Sequence, residues 1–226
     1  MYSLGTHAYG FETAKKILGL GSNSLGKLVD LGLISVEDVP ASQRNQNYSG
    51  WDLAYLASAR NRPLLIDDNQ RALVCSMGVE RSGSSPSVFF DLSLNPSPEW
   101  LESVQRGVDP EIWEAIEDGS LRVSGYWRVS QDDTDFLVKN HSILVASYAG
   151  FILDGGVIVA WIRGEYGDSG GRCFVVKPFS PQERYRYAHN FLASRQGPPN
   201  RVWSAEELKV EALKEFKALL PGGVIE

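Results

Sequence analysis

Cysteine, methionine and histidine are scarce in this chain: two, two and three among 226 residues. The cysteines, Cys75 and Cys173, form no C-x-x-C pair and have no histidine near them in sequence. That argues against a disulfide framework and a structural zinc site. Long apolar runs are missing too. The longest are strand-sized, well short of the ~18–20 residues a membrane-crossing helix needs. The opening segment, MYSLGTHAYGFETAKK, lacks the charged-then-apolar order of a signal peptide. A cytoplasmic protein without a membrane partner is therefore expected. Excess positive charge is also absent. A net charge of -6 argues against a uniformly basic nucleic-acid binder, though not against a local basic surface. Neither a Walker A loop nor a dinucleotide fingerprint occurs, and no cofactor or metal is expected.

What is present is a globular composition: 43% hydrophobic and 22% charged residues, enough to build a sizeable core. One short string invites a catalytic reading. GDSGG, Gly167–Gly171, resembles the surroundings of the nucleophilic serine in trypsin-like proteases. A serine needs a histidine to take its proton and a carboxylate to hold that histidine. The three histidines stand in the contexts GTHAY, KNHSI and YAHNF, none of which matches that family's histidine motif. Apolar runs flank the string, and its Gly, Asp and Ser are turn formers. A hairpin loop is expected, with no catalytic role for Ser169.

The first quarter is the most informative. Phe11–Leu18 places Ala14, Ile17 and Leu18 on one helical face. Gly19-Leu20-Gly21 breaks it, and Ser22 caps a second helix, Asn23–Leu31, striped by Leu25, Leu28 and Val29. Gly32 ends that helix. A polar stretch follows, then a third helix over Trp51–Ala59. The ordered set Ala14, Leu18-Gly19, Leu25, Asp30, Gly32-Leu33-Ile34, then Tyr48-Ser49 and Asp52-Leu53, resembles the winged helix-turn-helix of the MerR and excisionase families. That resemblance implies double-stranded DNA as partner. It puts Ser22, Asn23, Ser24 and Lys27 toward the major groove and Gln43, Arg44, Asn45, Gln46 and Asn47 in the wing. The reader would be more polar than basic, since residues 1–65 hold six Lys/Arg against five Asp/Glu. Asn and Gln suit adenine edges.

The remainder reads as α+β: an antiparallel sheet or small barrel with packed helices over 66–203, then a C-terminal amphipathic helix over 204–226. Strands are expected at Arg71–Val79, Val88–Leu92, Leu121–Val129, Ser142–Tyr148, Gly156–Ile162 and Cys173–Val176. Gly150, Asp154-Gly155-Gly156 and the GDSGG loop are expected to separate the later ones. Helices are expected at Glu99–Gln105 and after Asp109-Pro110. The run from Gly125 to Val176 loosely resembles small β-barrels of the PUA and EVE type, which implies RNA or modified-base binding.

Charge is uneven. Residues 67–135 hold five Lys/Arg and fourteen Asp/Glu, whereas residues 163–201 hold seven and three. In the second stretch Arg163, Arg172, Arg184, Arg186, Arg195 and Arg201 interleave with aromatics, a composition suited to a second nucleic-acid contact or to an ordinary solvated helix. The tail opens with the capping box Ser204–Glu207 and continues in a helical stripe. It packs in cis or pairs two copies, as in MerR-type dimers. The expectation is a DNA-binding regulator of phage or mobile-element type. The rivals are a protein-docking module, and an enzyme with its site in the α+β part near His141 or Glu165.

Overall fold

The computed structural model describes residues 7–30, 32–37, 46–76, 89–90, 102, 104–163, 171–192 and 200–219. They form two sheets with helices around them, a mixed α and β architecture consistent with α+β. The first segment runs β1 (Ala8–Gly10), α1 (Phe11–Leu18), α2 (Ser22–Asp30), β2 (Val36–Glu37), β3 (Asn47–Ser49) and α3 (Gly50–Arg60). β3 lies between β1 and β2, antiparallel to both.

Local chemistry explains these boundaries. α1 stops where Gly19 turns left-handed at φ 59°, a conformation cheap only for glycine. A Cβ there would lie 1.7 Å from Arg60 Nη1. That guanidinium donates to the Leu18 carbonyl, a last-turn group left over by the helix ladder. The glycine thus makes the turn and leaves room for Arg60. Ser22 lies inside α2 rather than capping it, because the Ser24 and Leu25 amides donate to the Gly21 carbonyl. Gly32, at φ 68°, closes the other end as expected, with the Leu33 amide donating to the Leu28 carbonyl at 2.9 Å.

The Tyr48-Ser49-x-x-Asp52-Leu53 string is a set of contacts. Ser49 Oγ accepts from the Asp52 amide at 3.4 Å and caps α3. Asp52 Oδ2 accepts from the Ser35 amide at 2.8 Å, tying α3 to the chain leaving α2. Tyr48 and Leu53 fill the core between the helices.

The large sheet contains β4 (Arg71–Ser76), β5 (Phe89–Phe90), β6 (Arg122–Trp127), β7 (Ile143–Tyr148), β8 (Phe151–Arg163), β9 (Arg172–Pro178) and β10 (Asn200–Ser204). Their order is β10-β4-β7-β8-β9-β6-β5. The antiparallel expectation is corrected at one place: β4 and β7 are parallel, so the sheet is mixed. It is also open rather than a barrel, since β10 and β5 stand at its two edges among the described residues. Side chains alternate between the faces: Ala72, Val74, Ile143 and Val145 enter one core, Leu73, Cys75, Leu144 and Ala146 another.

Helices packed with this sheet among the described residues include α4 (Pro110–Glu117), α5 (Gln131–Lys139), α6 (Pro181–Tyr187) and α7 (Ala205–Leu219). α4 begins at Asp109-Pro110 as the sequence suggests, although Asp109 makes no side-chain cap bond. α7 begins with the expected box: Ser204 Oγ accepts from the Glu207 amide at 3.2 Å, and Glu207 Oε2 accepts from the Ser204 amide at 2.9 Å. Of the expected Glu99–Gln105 helix, only residues 102, 104 and 105 are described, and these are helical.

A second correction concerns Asp154-Gly155-Gly156, which lies within β8 and is not a turn. The turn is Ala149-Gly150, both at positive φ, as two-residue hairpin loops require. A Cβ on Gly155 would come 2.3 Å from the Leu144 carbonyl oxygen. This glycine pair serves close strand approach rather than reversal. The hairpin tip reaches the N-terminal helices: Tyr148, Phe151 and Phe191 share a core with Leu18, Leu25 and Leu56.

Candidate nucleic-acid interface

Leu25 and Leu28 anchor α2 in the core, which turns Asn23 and Lys27 outward, one turn apart on the same face. Ser22 is exposed and Ser24 half-buried. Gly26 lies between Asn23 and Lys27, and a Cβ there would meet nothing within 4 Å. The face is therefore open and low, suited to close approach by another molecule. Lys27 Nζ also stands 5.9 Å from the Tyr148 ring, so the β7–β8 hairpin borders α2. Burial, and secondly the Asp30 carboxylate, push the Tyr148 phenol up to about 12, so it stays neutral.

The expected wing residues, 43–47, fall between β2 and β3 and at the start of β3 in the chain. Gln43, Arg44 and Asn45 lie outside the described residues. Gln46 is exposed and its Oε1 accepts from the Tyr48 hydroxyl at 3.0 Å. Asn47 is half-buried and pairs with Gly10 and Glu37 in the small sheet.

Among the described residues, the arginines of the second basic group each meet a partner within the fold. Arg172 donates to the Val129 carbonyl and to Gln131 Oε1, fastening β9 to the start of α5. Arg184 pairs with Asp154 at 3.5 Å. Arg186 grips Asp67 with two bonds, of 2.6 and 3.3 Å. Arg201 pairs with Glu207 at 3.0 Å and lies over the Trp203 ring. β10, which carries Arg201, is separated from β9, which carries Arg172, by three strands. Arg195 lies outside the described residues, as does the side chain of Arg163 at the end of β8. Sequence shows the arginines but not the acceptors that meet them.

Sequence reasoning missed a different cluster. On α3, Trp51 is 68% exposed and Tyr55 51% exposed. They are four residues apart and share the face opposite the buried Leu53 and Leu56. The Tyr55 ring meets His189 edge to face at 5.2 Å. His189 follows α6 and adopts φ 62°. Burial, then the charges of Arg184 and Arg62, hold its imidazole below its ordinary value. The available signal was W-D-L-A-Y, two aromatics at helical spacing off the apolar stripe.

The enzyme rival named His141 and Glu165. His141 sits exposed in the turn between α5 and β7, where its carbonyl accepts from Gln70 Nε2. Glu165 and Ser169 lie outside the described residues. A cleft of 320 Å³ between β10 and α7 is lined by Arg201, Trp203, Glu207 and Glu211 among others, and not by His141. Among the described residues no group of three or more His, Cys, Asp or Glu is placed to hold a metal ion. Both cysteines are buried and outside any disulfide, and burial raises Cys75 well above the usual thiol range. Among the described residues no helix is long and apolar enough to cross a membrane. Comparison with protein-family models, with curated proteins and with solved structures gave no match.

Proposed function

We propose that this chain is a sequence-specific DNA-binding protein that reads the major groove with a winged helix-turn-helix of MerR and excisionase type, as a regulator or repressor of phage or mobile-element kind. The observation that carries the reading is α1, a tight Gly19 turn and α2 with its open Asn23–Gly26–Lys27 face, followed in the chain by the antiparallel β2 and β3. Asparagine matches the adenine edge, and Gly26 lets the helix approach the bases closely. Lys27 supplies a phosphate contact that shows itself as salt dependence.

The test uses the full chain, because removing residues 1–65 would uncover Tyr148, Phe151 and Phe191. Selection from random duplex DNA is run with the wild type and with the double variant Asn23→Ala, Lys27→Ala. The reading expects an enriched motif that the variant loses, and a salt slope about 1 unit shallower. No enrichment at low salt, or the same motif from the variant, overturns it and favours the protein-docking rival. A second copy is proposed to pair along α7, where Val210 and Leu213 are 44% and 61% exposed. Sedimentation of wild type against Leu213→Glu tests that pairing, and an unchanged monomer in both removes it.

A further inference from the structure

The Trp51–Tyr55 face of α3 belongs neither to the α2 surface nor to the arginine set read from sequence. Two large aromatics are exposed there at i, i+4 spacing. Tyr55 is braced edge-on by His189, which fixes its plane. The charge of Arg62 reaches both Tyr55 and His189. Arg62 lies just past α3 and is exposed, and no ion pair engages it among the described residues. Arg184 is held at 3.5 Å by Asp154, the acid that faces this group. The cluster thus joins α3 to the segment around α6, and it sets two exposed rings beside the guanidinium of Arg62.

We propose that Trp51, Tyr55, Arg62 and His189 form a contact surface for single-stranded nucleic acid, in which an unpaired base stacks on Trp51 and Tyr55 while Arg62 meets phosphate. The Arg62 guanidinium favours an anionic partner, and the rings favour one with exposed flat faces. Duplex bases are stacked on one another and offer their faces only at ends, whereas an unpaired strand offers every base. The proposal is independent of the α2 reading, because different residues carry it.

The experiment measures anisotropy of a fluorescently labelled ten-nucleotide oligo-dT as the full chain is added at low salt. Trp51→Ala and Tyr55→Ala are each expected to weaken binding about 5- to 150-fold, the range of one lost base stack. Trp51→Phe should restore most of it. Arg62→Ala should make the salt slope about 0.7 shallower. Asn23→Ala, Lys27→Ala should leave oligo-dT binding unchanged, which separates this surface from the α2 face. Thermal melts of each variant check that the fold is kept. No binding at low salt overturns the proposal, as does binding that folded Trp51→Ala retains. It is also overturned if poly-glutamate of equal charge or a blunt duplex displaces oligo-dT as well as unlabelled oligo-dT does, because the site would then be an acidic-partner or general polyanion surface.

Discussion

At the scale of single residues, Gly19 is held by two independent constraints. Its φ of 59° disfavours any side chain, and its missing Cβ makes space for Arg60. Gly19→Ala should therefore cost about 1–2 kcal/mol from the left-handed backbone alone, and more if Arg60 loses the Leu18 carbonyl. Urea unfolding followed by circular dichroism measures this, and a midpoint equal to the wild type would refute the argument. Asp67 gives a pH prediction. The hydrogen bond from Arg186 holds its carboxyl below the ordinary value, outweighing burial, and the same bond raises Arg186. A depressed carboxylate stabilises the fold above its unfolded pKa and loses that contribution as pH falls through the folded value. The pair is half-exposed, so water screens it and the stability effect is small. The carbon-13 titration of Asp67 should shift upward in Arg186→Ala; an unmoved titration would sink the assignment.

At the scale of elements, sequence reading succeeded where one residue type has one job. Gly19, Gly32, the Asp109-Pro110 start and the Ser204–Glu207 box all mark helix ends in the chain as in the fold. It failed where a residue has two uses. Gly155 and Gly156 look like a turn, yet they serve strand packing, and only the neighbouring backbones reveal it. Helix α5 was missed because QDDTDFLVK is polar and short. Its signal was Ser130-x-x-Asp133: Ser130 Oγ accepts from the Asp133 amide at 3.1 Å and donates to Asp133 Oδ2 at 2.8 Å. Ser130→Ala should cost about 1 kcal/mol and raise amide exchange in the first turn of α5. Uniform protection across that turn in both proteins would show that the cap is dispensable. β4 and β7 were recognised as strands, but not as parallel neighbours. They are buried almost throughout, and a doubly covered strand carries no alternation from which direction could be read. Of the candidate site, the α2 face was legible from its apolar stripe. The paired arginines and the Tyr55–His189 contact were not, because each depends on a partner distant in sequence.

At the scale of the whole molecule, the N-terminal helices and the large sheet share packing. Phe151 and Phe191 meet at 5.2 Å inside the core that also holds Leu18 and Leu56. The division at residue 65 seen in the sequence is therefore not a clean seam. Thermal unfolding should show one cooperative transition, and Phe191→Ala should lower its midpoint while loosening α1 to α3. Such a large-to-small core change costs about 3–5 kcal/mol. Two resolved calorimetric transitions, with only the later one sensitive to Phe191, would contradict this.

The pairing of β10 with β4 also bears on the order of synthesis. β4 leaves the ribosome long before β7 or β10 exists, with two hydrogen-bonding edges and no neighbour on either side. Its antiparallel partner arrives only when Asn200–Ser204 is made. In the interval a strand of buried residues is open to pairing with other chains. α1 to α3 likewise emerge before Tyr148 and Phe151 can complete their core. A nascent chain stalled before β7 therefore exposes both edges of β4, and one stalled between β7 and residue 200 still exposes the edge that β10 will cover.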